Sequence, residues 1–319
     1  MRFVYGLTHF KPLNKKPAVA LGVFDGLHRA HQKIIANLIK EAKRLKTLSL
    51  VVTFFPHPQK ESSLYPLSYR LRLLEEAGVD LCLIIRFSPA FRKIPAKEFL
   101  QRILVKKINP KVVLVGKNFT FGKNAKGNWR MLEDFSKKAK FKLRVIDVLT
   151  YKGMPISSSY IRALIKKGDF RRAEDLLGRP VSIFGRVTGG WHLGRVLGYP
   201  TANVISDHEI LPPFGVYAVR VKVEGRWFEG ICYIGTRPTL KPAPFYCAET
   251  LRSKKVQGKK TAGKANIEVH IFNFKNNLYG CKMQVELIKR IRPQKRFSSI
   301  QALTCQIKRD ICLCHSIFK

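Results

Sequence analysis

Residues 20–35, A-L-G-V-F-D-G-L-H-R-A-H-Q-K-I-I, decide the fold of the first half of the chain. The run Ala18-Val19-Ala20-Leu21 is apolar and reads as a buried strand. After it, Ile34, Ile35, Leu38 and Ile39 recur at helical spacing. Asp25, His28 and His31 therefore fall in the loop and first turn of a strand-to-helix junction. Unpaired backbone N–H groups and the helix macrodipole make such a position attractive to phosphate. Two histidines three apart there can reach one phosphate group together, as N–H donors or as imidazolium, and stabilise charge building during transfer. An isolated H-x-x-H more often serves structure or a metal; the full run between strand and helix carries more. Asp25 has a structural reading as well, as a helix cap or loop brace.

Working outward, apolar strands alternate with amphipathic helices from 18 to about 150. The strands are A-V-A-L-G-V-F, S-L-V-V-T-F-F, V-D-L-C-L-I-I, K-V-V-L-V-G and F-K-L-R-V-I-D-V-L. Helical patterns follow His31 and recur in Y-R-L-R-L-L-E-E-A, A-K-E-F-L-Q-R-I-L and N-W-R-M-L-E-D-F-S-K-K-A. This alternation predicts an α/β doubly wound domain, a parallel sheet with helices on both faces. Ligands of such sheets bind beyond the carboxyl ends of the strands, where the opening run and the loops 53–58 and 116–122 lie. His57, between two prolines of the first loop, reads as a loop-fixing residue, and Phe119 and Phe121 as core or pocket wall.

Two short helical patterns, S-S-S-Y-I-R-A-L-I-K-K-G and F-R-R-A-E-D-L-L-G, close this part. Residues 181–292 then read as six strands with Gly and Pro turns, a small six-stranded antiparallel β-barrel, followed by a C-terminal helix. The boundary is expected near Arg179-Pro180, giving domains 1–180 and 181–319. The segment 252–264 has no acid and no large aromatic, and is expected to be a mobile, solvated loop.

The chain has 319 residues, enough for two domains, with 45% hydrophobic and 25% charged residues. Its net charge of +39 favours anionic partners, but the lysines are spread along the whole chain, which a generally basic proteome explains at least as well as nucleic-acid binding. No apolar run approaches the roughly 18 residues of a membrane span, and the N-terminal segment lacks the apolar core of a signal peptide. A cytoplasmic protein without membrane contact is expected, a monomer or weak oligomer. The seven cysteines are scattered, placed mostly in apolar strands, and read as reduced thiols. Cys312-Leu313-Cys314-His315 lacks the second ligand pair of a zinc finger.

The second dense motif is T-G-G-W-H-L-G-R-V-L-G-Y-P-T-A-N-V, 188–204. Gly189, Gly190, Gly194 and Gly198 let backbone approach a ligand and present N–H groups to phosphate. No G-K-[ST] is present, so this is no Walker loop. Thr201 and Asn203 then offer hard oxygen donors of the kind Mg²⁺ accepts.

G-x-F-D-G-x-H-x-x-H resembles the signature of the H-x-G-H nucleotidyltransferases, specifically the prokaryotic bifunctional riboflavin kinase/FAD synthetases. T-F-F-P-H-P at 53, R-L-R-L-L-E-E-A-G-V-D at 70, V-G-K-N-F-T-F-G at 115 and I-S-S-S-Y-I-R at 156 continue that pattern. The Gly-rich loop with P-T-A-N resembles the kinase module of the same family. Its later pieces are L-P-P-F-G-V-Y-A-V at 211, I-G-T-R-P-T at 234, I-E-V-H-I-F-N-F at 267, N-L-Y-G at 277 and I-R-P-Q-K-R-F at 291.

The resemblance implies two activities: phosphorylation of riboflavin by ATP to FMN, and adenylylation of FMN by a second ATP to FAD and pyrophosphate. In the first half, His28 and His31 would hold the ATP phosphates while Gly22, Phe24 and Asp25 shape the nucleotide pocket. Asn118 would contact ATP, and Ser157 and Arg162 would close over the phosphates, with Mg²⁺ neutralising the leaving pyrophosphate. In the second half, Gly189, Gly194 and Gly198 would line the phosphates, Thr201 and Asn203 would hold Mg²⁺–ATP, Glu268 would be general base, and Arg292 would lie near the flavin. Ala30 and Gln294 depart from the family pattern, which usually has Gly and often Glu at these places. Two other readings are a kinase with weakened adenylyltransferase, and a basic nucleic-acid-binding protein that reuses the fold. No recognised RNA-binding motif supports the latter, and no specific nucleic-acid partner is expected.

Overall fold

The computed structural model describes residues 1–59, 62–189, 198–206, 208–236, 265–274 and 276–319. It divides into two compact units, Met1–Arg179 with His208–Ile210, and Pro180–Asp207 with Leu211–Lys319.

In the first unit, six strands form one parallel sheet. They are β1 (Arg2–Tyr5), β2 (Ala18–Leu21), β3 (Ser49–Phe55), β4 (Leu81–Arg86), β5 (Val112–Gly116) and β8 (Lys142–Ile146), in spatial order β1-β4-β3-β2-β5-β8. Chain order runs outward from β2 through β3 to β4 on one side, and through β5 to β8 on the other. The direction of winding therefore reverses between β2 and β5, the place where such sheets open a crevice at the strands' carboxyl ends. Alternate residues face opposite sides: Val19 and Leu21 join Leu50, Val52, Leu81 and Leu83 in the buried core of one face. On the opposite face of β2 lie Ala18 and Ala20, small enough for helix α1 (Arg29–Arg44) to pack closely with Ile34, Ile35 and Leu38 buried.

Four further helical elements are α2 (Leu67–Glu76), α5 (Trp129–Ala139), α6 (Ser158–Lys167) and α7 (Phe170–Leu177), with short helices α3 (Pro89–Arg92) and α4 (Ala96–Glu98) between them. Hairpins of two-residue strands are made by β6 (Thr120–Phe121) with β7 (Gly127–Asn128), and by β9 (Thr150–Tyr151) with β10 (Met154–Pro155). The predicted helix at 96 continues as a π-helical segment, Phe99–Ile108, ended by Asn109 in the left-handed region at φ 52°. The structure adds β1, an edge strand whose Phe3 and Tyr5 are exposed, so it lacks the apolar run that marks the central strands. The strand expected over 18–24 stops at Leu21, because Phe24 turns into the left-handed region at φ 52°.

The second unit is a closed antiparallel barrel. Its strands are β11 (Ser182–Thr188), β12 (Ala202–Ser206), β13 (Gly215–Val223), β14 (Arg226–Gly235), β15 (Asn266–Ile271) and β16 (Lys282–Pro293), closing in the order β11-β12-β15-β14-β13-β16. Alternation is clean on β15, where Ile267, Val269 and Ile271 are buried and Asn266, Glu268 and His270 are half-buried. Helix α8 (Ile300–Phe318) packs against β13 and β14, with Cys314 buried against Ala218 and Phe272. The described cysteines are free, but only Cys82 and Cys232 lie in strands. Cys305, Cys312 and Cys314 belong to α8, where apolar residues at helical spacing had suggested no strand at all. The segment 252–264 lies outside the described residues.

Candidate active sites

Beyond β2 the backbone enters a tight turn in which Phe24, Gly26 and Leu27 have φ of 52°, 75° and 40°. Two bulky residues in the left-handed region are strained, and such a turn persists only if its surroundings over-determine it. Every carbonyl in it is held. Val23 O accepts from the Thr53 hydroxyl at 2.8 Å and from Arg70 Nη1 at 2.7 Å. Phe24 O accepts the Leu27 N–H at 3.3 Å, and Asp25 O accepts the Ser158 hydroxyl at 2.9 Å. Leu27 O accepts from Gln32 at 2.9 Å and Arg179 Nη1 at 3.0 Å, and Gly26 O accepts from Arg179 Nη2.

The turn delivers His28 to the N-cap of α1. Its Nδ1 accepts the His31 N–H at 3.4 Å, and the two imidazoles stack with centroids 3.7 Å apart at 16°. Phe24 meets His31 edge-on at 5.3 Å. Accepting at Nδ1 requires a neutral ring with its proton on Nε2, so His28 is assigned as an Nε2–H donor. Electrostatics agree. Burial first, then the charge of Arg179, lowers His28 to about 4. Burial, His28, Arg70 and Arg179 push His31 well below its ordinary range. Of the two roles open to these histidines in the sequence, the geometry supports neutral N–H donors. His31 Nδ1 is buried with no hydrogen-bond partner among the described residues.

Asp25 caps no helix. It is 1% exposed, and both carboxylate oxygens accept the Leu64 N–H, at 2.9 and 3.0 Å. Arg162 Nη2 stands 3.7 Å away. Burial raises the Asp25 carboxyl, while the Leu64 amide, Arg70, His57 and Arg162 oppose the rise. Asp25 therefore braces the loop, the structural alternative read from the sequence. His57 is buried and its Nδ1 accepts the Gln59 N–H at 3.3 Å, as a loop-fixing residue does. Gly22 is needed for the turn's packing, since a Cβ there would come within 3.0 Å of the Phe24 ring. Ser157 caps α6 through the Tyr160 N–H at 3.2 Å, so its hydroxyl is engaged in the helix end. Asn118 is exposed just past β5, across the switch point from the turn.

Sequence reasoning missed Arg179, Arg70 and Ser158. The signal for Arg70 was its place at helical spacing with Leu73 and Leu74 on the buried face of α2; it is 2% exposed. Arg179 had no periodic signal.

In the second unit, strand register places Asn203 directly opposite Glu268, and Glu268 opposite Tyr233. Cross-strand partners share a face with Cβ atoms about 5 Å apart. The structure thus brings together an amide and a carboxylate 65 positions apart in sequence. Glu268 accepts from Asn266 Nδ2 at 2.8 Å. Thr201 directly precedes β12, and His270 is tied to Pro200 O at 2.7 Å, anchoring the P-T-A-N segment. Gly198 has φ +83°, which only glycine adopts freely, and a Cβ on Gly189 would meet nothing within 4 Å. Gly190 and Gly194 lie outside the described residues.

No cluster of three His, Cys, Asp or Glu suited to a metal exists among the described residues. The oxygen donors of Thr201 and Asn203 fit a Mg²⁺ that takes its remaining ligands from phosphates and water. Arg292 is committed to the protein: its Nε donates to both carboxylate oxygens of Asp310, at 3.0 and 2.8 Å, and its guanidinium lies 5.6 Å from the Phe297 ring. Gln294 donates to Thr236 O at 3.1 Å.

Comparison with known proteins agrees with both units. The family model described as FAD synthetase matches residues 10–160, and that described as riboflavin kinase matches 177–318. A bifunctional riboflavin kinase/FMN adenylyltransferase of Buchnera aphidicola (subsp. Schizaphis graminum) is 35% identical over 98% of this chain and 97% of its own length. The protein of that name from Bacillus subtilis is 34% identical, over 95% of this chain and 94% of its own. A Streptococcus pneumoniae crystal structure described as a macrolide-efflux protein superposes with a TM-score of 0.79 at 26% identity, covering 99% of both chains. No helix among the described residues is long and apolar enough to cross a membrane. By its two matched domains and its full-length relatives, the chain belongs to the bifunctional riboflavin kinase/FMN adenylyltransferase family.

Proposed function

We propose that the chain makes FAD from riboflavin in two steps, one on each unit. The stacked His28–His31 pair at the switch point carries this reading. In the first unit, a phosphate oxygen of FMN attacks the α-phosphorus of ATP, and the bond to pyrophosphate breaks. The attacking oxygen is already ionised, so no base is needed; alignment and charge stabilisation suffice. The Nε2–H of neutral His28, with His31 beside it, donates to phosphate oxygens as charge moves onto the leaving group. Gly22, Phe24 and Asp25 shape the pocket by fixing the turn, and Asn118, Ser157 and Arg162 complete the nucleotide's surroundings.

In the second unit the nucleophile is an alcohol, the terminal ribityl hydroxyl of riboflavin. Glu268 accepts its proton as oxygen attacks the γ-phosphorus of ATP, and ADP leaves. Thr201 and Asn203 would hold Mg²⁺, which supplies Lewis-acid neutralisation of the ATP phosphates. Gly189 and Gly198, where an added Cβ would meet nothing within 4 Å, would take those phosphates together with Gly194. Arg292, fixed by Asp310, borders the flavin. No nucleic acid, membrane or partner chain is needed for either step, and a cytoplasmic monomer or weak oligomer suits the chemistry.

The test is chromatography of flavins from protein, ATP and Mg²⁺. His28→Ala should abolish FAD while riboflavin still becomes FMN; Glu268→Ala should abolish FMN formation while added FMN still becomes FAD. Loss of both reactions in either folded variant overturns the assignment of one step to each unit.

A further inference from the structure

We infer that Arg179, the end of the first unit's main stretch Met1–Arg179, is a positioning residue for adenylyltransfer: its guanidinium grips two consecutive carbonyls and thereby fixes the turn that presents His28 and His31. The inference rests on assigning FMN adenylylation to that pair. Arg179 Nη1 donates to Leu27 O at 3.0 Å and to Leu177 O at 3.3 Å, while Nη2 donates to Gly26 O. These two carbonyls belong to Gly26 and Leu27, the positive-φ residues that lead into the helix cap at His28, Leu27 being the strained one. A planar fork bridges neighbouring carbonyls; a lysine ammonium, a point donor, does not hold both in one geometry. The fork is itself held. Its guanidinium carbon lies 5.3 Å from the Tyr65 ring centroid, and Tyr65 is 1% exposed. Arg179 Nε is buried, with no hydrogen-bond partner among the described residues.

Its charge acts on the same pair. His28 faces Arg179; His31 faces His28, Arg70 and Arg179. The nearby carboxylate, Asp25, is engaged with Leu64, Arg70, His57 and Arg162. Removing the Arg179 cation therefore relieves one of the forces keeping both rings neutral.

Two variants separate fork from charge. Arg179→Met keeps the aliphatic stem and loses both. Arg179→Lys keeps the charge and loses the fork. Expected for Arg179→Met is a fall of about tenfold or more in kcat/KM for FAD formation from FMN. Riboflavin phosphorylation by the same protein should stay within about twofold. The His28 imidazole resonance, followed by ¹³C–¹H NMR, should titrate at higher pH than in the parent. Arg179→Lys should also slow FAD formation, with His28 titrating near the parental pH. Unchanged FAD formation in either variant overturns the inference, as does a parallel fall of both activities with the unfolding midpoint, which marks a merely structural role. Should His28→Ala retain FAD formation, the assignment of the site fails first, independently of Arg179.

Discussion

Acid should destabilise the first unit through His28, and the size follows from its surroundings. The ring is 4% exposed, and burial with the Arg179 charge lowers it from 6.5 to about 4. In the unfolded chain it titrates near its ordinary value, so between these limits the unfolded state binds more protons. Stability is fully present above pH 6.5 and is lost as pH falls toward 4. The whole difference is about 3 kcal/mol, of which about three quarters is gone by pH 4.5. His28→Asn is the informative partner, because asparagine still offers an oxygen to cap α1 but does not titrate. Urea unfolding can be followed by Trp129, on α5 of this unit, with Trp191→Phe and Trp227→Phe removing the other signals. His31 is present in both proteins, so the difference between them reports on His28 together with its effect on His31. Between pH 7 and 4.5 the parent should lose about 2 kcal/mol more than His28→Asn. Equal losses would refute a buried neutral imidazole at this position.

Two further outcomes are expected. Asp310→Ala should cost the second unit about 3 kcal/mol in calorimetry, since it strands Arg292 without its 2.8 Å carboxylate while that guanidinium keeps some access to water. Ala30→Gly should cost about 1 kcal/mol of stability on the first turn of α1, and FAD formation at saturating ATP should stay within about threefold, showing that the methyl group is tolerated there.

The sheet was legible because its central strands are buried on both faces and so carry unbroken apolar runs, as Leu50–Val52 and Val112–Val115 do. β1 was not, because an edge strand with exposed Phe3 and Tyr5 has no such run. The barrel was legible from alternation and turn residues, since each strand buries one side. In the sites, residues adjacent in sequence were found directly: Asp25, His28 and His31 sit in one run. Groups that complete the site from afar were not. Arg179 reaches Leu27 across 152 positions, and nothing in the local pattern around it signals that reach. Arg292 was placed near the flavin from its motif, whereas its engagement with Asp310 depends on helix α8, whose docking no periodicity specifies.

The two sites differ as their nucleophiles do. A phosphate monoester such as FMN arrives ionised, and a base beside it would add negative charge where charge must be dispersed. The turn after β2 accordingly keeps its only carboxylate, Asp25, saturated by the Leu64 amide and faced by Arg162, and presents neutral imidazoles instead. An alcohol holds its proton at neutral pH and needs an acceptor within reach. On β15 the carboxylate of Glu268 therefore stands half-buried beside Asn203, on a strand whose alternate residues are sealed in the barrel core. Exchanging the two arrangements would fail in both directions: imidazoles held neutral by burial are weak bases, and an open carboxylate repels an incoming phosphate. That mismatch is a physical reason for one chain to carry two separate phosphate sites instead of one site serving both steps.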